Sequence, residues 1–480
     1  MLLLVEAFYA GSHRQLITTL MDGLRLDETN CRLVTMSGRK WHWRARTSAL
    51  HLAQHIPRET YSVLFTSSVT PLAELCGLRP DLAAVRKVLY FHENQLVYPV
   101  RKAADTDFQY GYNQITACLV ADEVVFNSLY NMESFLNNID HFMKTQPDYR
   151  PRGLAEQIRV KCRVLYFPLC VPETVLAPRE EGSETGQDRE GDGDRDRSQD
   201  RESGGDQDQE STEDRDGDQE SAEDQNHSSE SERPLHILWP HRWEHDKNPS
   251  LFFDTLSRLH EEGVPFRLSV LGERCREVPD VFERARTQLE DRIEHWGYLP
   301  SREDYWRVLG AADVVVSTAD HEFFGVAVCL TRRLPGLRGS LEAVWCGCLP
   351  LCVDRLVYPE WFERRLLFRT PAQLLKRLRQ LCRRPGTART ERRQLRPDLE
   401  RFGWPALRER YRELLGLPPE RDGEENREGY GHRECGGGSD SGGNMGGDRD
   451  SEKDVDREPG EGAGGNRDGC ECDGNQELGR

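Results

Sequence analysis

Glu322, Phe323, Phe324 and Gly325 stand directly after ADVVVSTADH, whose Val314, Val315 and Val316 form a short apolar run. Such a run reads as a buried strand, and the residues after it form the loop at its C-terminal end, where open α/β sheets bind ligands. Gly325 lets a backbone come close. A helix opening behind it would aim unpaired N–H groups and partial positive charge at an anion. Upstream, the strand-like LHILW runs into Arg242 and Lys247. Two cations so spaced can grip a diphosphate and neutralise the charge that builds as it departs. Surface salt bridging is the plainer account of the same pair. His92 ends another apolar run, KVLYF. From a strand end it could hydrogen-bond a sugar or an acceptor, or simply be structural. Together these residues outline a sugar-nucleotide site.

The elements needed to carry them recur along the chain. LLLVEAF is a buried strand, and YAGSHRQLITTLMDGL turns at Gly11 into an amphipathic helix. This is a Rossmann opening without GxGxxG, which makes nicotinamide binding a weak reading. Gly11, Ser12 and His13 would face a cleft, or serve as a plain turn and N-cap. SVLFTSS, KVLYF and DEVVF follow as strands, the last preceded by the helix DFQYGYNQITACL. Strands alternating with helices predict a parallel sheet. LHILW opens a second such series, and WPALRERYRELL reads as a final amphipathic helix that crosses back to the first.

The formal net charge of −18 hides a basic body. Residues 179–233 hold 22 acids and 7 bases, residues 420–480 hold 18 and 8, and the remainder carries +7. Both acidic stretches are too polar to repay their ordering entropy and read as disordered. The DGDRD string inside the first resembles a metal-binding DxD, but such composition yields that match by chance, and no metal is expected. A basic body permits a polyanionic partner. Within GRKWHWRARTSAL, Lys40, Arg44 and Arg46 alternate with Trp41 and Trp43. Basic side chains meet phosphates and aromatics stack on bases, so these five are the best candidates for RNA contact. The alternative is a solvated basic loop with both tryptophans packed inward. The 14 cysteines show no paired CxxC spacing and read as reduced thiols of the cytoplasm or nucleus. No run of 18 apolar residues predicts a membrane span.

The site resembles glycosyltransferase family 4, whose signature is a Glu, an aromatic-Gly turn and a second Glu seven residues further on, on the following helix. The resemblance assigns Glu322 to the transferred sugar and Glu342 to the ribose hydroxyls, and matches Arg242 and Lys247 to the family's Arg-x4-Lys pair. It implies a GT-B fold: a Rossmann-like acceptor domain over residues 1–175, a linker over 176–234, a Rossmann-like donor domain with the crossing helix over 235–417, and a tail over 418–480. Catalytic duty falls to His92 and Glu322, and donor binding to Gly11, Arg242, Lys247, Gly325 and Glu342. VEAFYAGSH, YFHENQLVYPV, DFQYGYNQI and WPHRWEHDKNP further resemble the tRNA-queuosine mannosyltransferase branch. That implies retaining transfer of mannose from GDP-mannose, without a metal, to queuosine at the wobble position of cytosolic tRNA-Asp.

In one place the sequence leaves the family pattern. Nineteen residues separate Glu322 from Glu342, about twelve more than the signature has. Residues 329–340 include Pro335, Gly336 and Gly339, which would cost a regular helix roughly 3 kcal/mol for the proline and about 1 for each glycine. Either the helix restarts near Ser340, with the insert looped out, or Glu342 is displaced. Two alternatives therefore stay open: a tRNA-binding chain impaired in transfer, and a glycosyltransferase for another cytosolic acceptor.

Overall fold

The computed structural model describes residues 1–98, 107–169, 233–274, 278–324, 326–327, 338–395 and 399–419. Most of the expected linker and nearly all of the tail lie outside them, as does Gly325. Residues 1–420 form one compact unit built on two six-stranded sheets.

The first sheet holds β1 (Leu2–Tyr9), β2 (Cys31–Ser37), β3 (Val63–Ser67), β4 (Arg86–Phe91), β5 (Glu123–Phe126) and β6 (Cys162–Val164). Their spatial order is β2-β1-β3-β4-β5-β6, with every pairing parallel. A parallel sheet covered on both faces needs strands apolar throughout, which is why β1 reads as an unbroken run. Glu6 is its one exception, and it is buried. The edge strand β2 instead alternates, after the buried Cys31, between half-buried and exposed positions.

The second sheet holds β7 (Leu235–Pro240), β8 (Phe266–Leu271), β9 (Ile293–Gly297), β10 (Val314–Ser317), β13 (Leu349–Val353) and β14 (Leu367–Phe368). Its order is β14-β13-β10-β7-β8-β9, again parallel throughout. Each sheet has one place where the chain, having built strands to one side, returns to build on the other: β1/β3 in the first and β7/β10 in the second. The crevice outside such a switch point is where doubly wound sheets take their ligands.

The helix Trp404–Leu414 crosses back to the first sheet, as its amphipathic pattern predicts. Arg408 Nε donates to the Gly23 carbonyl (3.1 Å), Arg410 Nη2 to that of Val164 (2.9 Å), and the Tyr411 hydroxyl to that of Tyr166 (2.9 Å). In return, Arg86 Nη1 donates to the Leu414 carbonyl (2.8 Å). Two other local alternatives are decided. Residues after Lys40 form a helix, α2 (Trp41–His55), following α1 (Gly11–Gly23), and not a basic loop. The helix carrying Glu342 spans Ser340–Trp345, so it restarts at the last residue of the insert, the first of the two expected alternatives. The insert's two ends meet: β11 (Val326–Ala327) pairs antiparallel with β12 (Arg338–Gly339), Val326 opposite Gly339. The chain therefore returns close to where it left. Among the described residues no helix is long and apolar enough to cross a membrane, and Cys346, Cys348 and Cys352 form no disulfide.

Candidate active site

At the β7/β10 switch point the loops after the two strands lock together around Lys247. Its Nζ donates to the His321 carbonyl (2.8 Å) and to Glu322 Oε2 (3.3 Å), and pairs with Asp246 Oδ2 (3.2 Å). Burial opposes a charged amine, but Glu322 and Asp246 outweigh it and hold the ammonium well above its ordinary range. Asp246 is buried too; burial would raise its carboxyl, and Lys247 and then Arg242 hold it below the usual range. Arg242 pairs with Glu244 at 3.0 Å. The turn bearing Lys247 ends at Asn248, whose side chain accepts the Leu251 N–H (3.2 Å) and caps the next helix. Close approach of the β8 loop depends on Gly272, at φ 127°: a Cβ there would lie 1.9 Å from the His241 carbonyl oxygen. His241 and His321 flank the pair. Burial first, and then the Lys247 charge, lower each to about 4, so both are neutral near pH 7.

Glu342 is buried and accepts a hydrogen bond from the Tyr305 hydroxyl (3.0 Å). Side chains of the first half reach the Glu322 loop directly. The Tyr98 ring lies 4.9 Å from His321, and Ser128 Oγ donates to the Phe323 carbonyl (2.6 Å). Below them, Glu360 of the second half accepts the N–H groups of Leu129 (3.0 Å) and Tyr130 (3.1 Å), at the opening of a first-half helix. Residues of the first half thus pack directly against the loop that carries Glu322.

On the opposite wall, His92 follows β4 and packs against His13 of α1, ring centroids 4.0 Å apart. His13 Nδ1 faces Glu6 Oε2 at 3.2 Å and its Nε2 faces Glu93 Oε1 at 3.8 Å. Glu6 also accepts the Phe8 N–H and the Ser67 hydroxyl, both at 2.9 Å. Burial alone would lower the His13 imidazole, but Glu6 and then Glu93 raise it to about 10. Burial, and then the charge of His13, push His92 well below its ordinary value. Gly11 adopts φ 51°, which lets the chain turn from β1 into α1. His13 is buried among these partners and does not line the cleft as a surface group. Ligand-type atoms of Glu6, His13 and His92 all lie within 4.8 Å of one another. The Glu6–His13 ion pair already engages that carboxylate, and the set fits a proton-bearing pair better than a metal site.

The five RNA candidates sit together at the start of α2. Trp41 packs inward, its ring 4.9 Å from Tyr110, whereas Trp43 is 58% exposed. One tryptophan is inward and one outward, so the alternative with both packed inward does not hold. Arg46 lies over Trp43 (5.4 Å) and Tyr110 (5.5 Å), Arg44 Nη2 donates to Ser37 Oγ (3.1 Å), and Lys40 turns the chain at φ 53°. No contact among the described residues joins this group to the Lys247–Glu322 pair. A cavity of about 370 Å³ lies elsewhere, by β14. Its Arg365, Arg369 and Arg377 are already paired with Glu363, Asp354 and Glu391, so the switch-point crevice remains the better site.

Asp246, His241, Tyr98 and Tyr305 escaped the reading of the sequence, as did Glu6 in any role beyond breaking an apolar run. Glu6 did leave a signal: a carboxylate amid apolar strand residues requires a buried partner.

Comparison with known proteins agrees with this fold. Among solved structures, the Anabaena protein HepE in complex with UDP superimposes with a TM-score of 0.52 at 11% identity, covering 86% of this chain and 99% of that one. A glycosyltransferase from Rickettsia africae gives 0.52 at 14% identity over 86% and 97%, and apo OtsA gives 0.51 at 10% over 87% and 100%. At such identities the likeness establishes the fold, GT-B. A family profile described as "tRNA-queuosine alpha-mannosyltransferase N-terminal" matches residues 1–169. The Drosophila melanogaster tRNA-queuosine alpha-mannosyltransferase is 43% identical over 394 residues, 82% of this chain and 90% of that protein. With two parallel sheets facing one crevice and a relative this similar along most of its length, the chain belongs to the tRNA-queuosine alpha-mannosyltransferase family of glycosyltransferases.

Proposed function

We propose that this chain transfers mannose from GDP-mannose, with retention, to queuosine at the wobble position of tRNA-Asp, in the cytoplasm or nucleus. The observation carrying this reading is the meeting of Lys247 with Glu322 at 3.3 Å, across loops from two different strands at the second switch point. In the transfer, the bond from the sugar's anomeric carbon to phosphate breaks as the acceptor hydroxyl bonds to that carbon, and the hydroxyl proton passes to the departing phosphate. Arg242 and Lys247 stabilise the charge on that diphosphate, work that a metal would otherwise do. Glu322 holds hydroxyls of the mannose, Glu342 those of the ribose, and the Gly11 turn leaves room at the first strand. His92 contacts the sugar or acceptor from the opposite wall. Lys40, Arg44 and Arg46 meet the tRNA backbone, with Trp43 beside them as a stacking surface.

A second reading, a tRNA-binding chain impaired in transfer, draws on one observation: the helix bearing Glu342 opens only at Ser340, the last residue of the insert. One experiment separates them. The full chain and a version lacking residues 329–340 are each incubated with GDP-mannose and queuosine-containing tRNA, and the nucleosides are read by mass spectrometry. Mannosyl-queuosine from the full chain supports the first reading, whereas product from the shortened chain alone supports the second. The shortened chain is expected to be the faster, since misplacing a contact by about 1 Å can cost on the order of a hundredfold. Equal turnover would show the insert to be accommodated, and no product from either would defeat the assignment.

A further inference from the structure

The first switch point holds a buried ion pair to which the proposed transfer gives no task. His13 sits at the start of α1 with a carboxylate opposite each ring nitrogen, Glu6 at 3.2 Å and Glu93 at 3.8 Å. A neutral imidazole would set its lone pair against one of those carboxylates; an imidazolium offers a proton to both. Glu6 is itself fixed by the Phe8 N–H and the Ser67 hydroxyl, so the pair is anchored to β1 and β3 at once. One face of the His13 ring lies against His92, 4.0 Å away and tilted by 33°. A second charge on His92 would be a like charge at contact distance, in a site that excludes water. His92 Nδ1 is buried and has no hydrogen-bond partner among the described residues.

We propose that His13, anchored by Glu6, is a positioning residue for the transfer: it acts through His92, keeping that imidazole neutral so that the ring can accept a hydrogen bond from a substrate hydroxyl in the cleft. An imidazolium has no acceptor, whereas a neutral ring has one. The inference rests on the reading that His92 touches substrate. The direction of both shifts agrees with it, His13 being raised to about 10 and His92 lowered, by burial first and then by the charge of His13. The titratable groups facing the pair are Glu6 from β1, Glu93 beyond β4 and Tyr90 from β4; Glu93 in turn acts on His321 and Tyr98 across the crevice.

The test is a double-mutant cycle in the full chain: wild type, His92→Gln, His13→Gln and both together, assayed for mannosyl transfer from about pH 5 to about pH 9. We expect each single substitution to lower kcat at least about tenfold with little change in the KM for GDP-mannose. In His13→Gln an acid limb should enter the pH profile, because His92 no longer lies beside a fixed charge. Adding His13→Gln to His92→Gln should cost nothing more. Histidine-labelled NMR reads the same change without turnover: His92 should titrate at higher pH in His13→Gln than in wild type. If His13→Gln fails to fold, Glu6→Gln keeps an oxygen acceptor for Phe8 and Ser67 while removing the charge, and should produce the same limb and the same NMR shift. Independent, additive losses with an unshifted profile and an unshifted His92 titration would overturn the inference alone. Full activity in His92→Gln would overturn it together with the role given to His92.

Discussion

The two crevice walls share an architecture and differ in what their switch points bury. At β7/β10 the buried cation is Lys247, shared between Asp246 and Glu322, with Arg242 close by. At β1/β3 it is an imidazolium set between Glu6 and Glu93 and covered by a second histidine. A lysine on a flexible stem can reorganise toward an arriving diphosphate, whereas an imidazolium clamped at both nitrogens cannot. One wall is therefore fitted to hold mobile charge, and the other to keep a neutral ring in place.

That contrast breaks most severely at Lys247. Replacing it with Met strands Asp246 and Glu322, and breaking a buried pair costs about 3–5 kcal/mol; thermal or denaturant unfolding should show a loss of that order together with lost GDP-mannose binding. An unaltered melt would mean that the lysine is not shared as described. Arg242→Ala sharpens the same point, because Arg242 is paired with Glu244 near the rim and its loss should spare the fold. Losing one charge-assisted contact costs roughly 1.5–3 kcal/mol, so GDP-mannose affinity should fall at least about tenfold; titration calorimetry showing no change would remove Arg242 from the donor site.

Stability against pH gives a third, gentler contrast. A histidine raised from 6.5 to about 10 contributes stability that is full below pH 6.5 and is lost as pH rises through about 10, which is the case of His13. His241 and His321, lowered to about 4, and His92, lowered as well, contribute stability that is present above pH 6.5 and is lost as pH falls toward about 4. His13→Gln should then flatten the alkaline side of the stability curve. If denaturant titrations show the same alkaline slope in both proteins, His13 is not the buried cation. The smallest effect belongs to the surface of α2: neutralising Lys40, Arg44 and Arg46 should weaken tRNA binding and lower the slope of log Kd against log salt by about one for each phosphate contact removed. A slope that stays put would send the RNA to another face.

Much of this was legible in the residues. Apolar runs marked β1, β3, β4, β7 and β10, and Arg242, Lys247 and Glu322 could be placed at strand ends from sequence alone, because local pattern fixes where a strand stops. The crossing helix was readable for the same reason. What stayed hidden needed strand order. Glu6, His13 and His92 meet only because β1, β3 and β4 lie side by side, which no local pattern states. The helix α2 was hidden by its start: Lys40 precedes it in a left-handed conformation without a side-chain cap, so no Ser, Thr, Asp or Asn announced it. The ends of the insert pair through two residues on each side, too short a signal to read in advance.

The helix Trp404–Leu414 has a consequence for how the chain is made. It fills ground belonging to the first sheet: Trp404 lies where any side chain at Gly23 would be, and the Tyr411 hydroxyl reaches the hydroxyl of Tyr90 and donates to the carbonyl of Tyr166. Synthesis delivers β1 to β6 long before these residues leave the ribosome, so the first half must wait, with Tyr90 and the α1 end uncovered, until more than two hundred further residues have been added. The helix that completes the first half is thus made after the whole of the second, and it ties the two together.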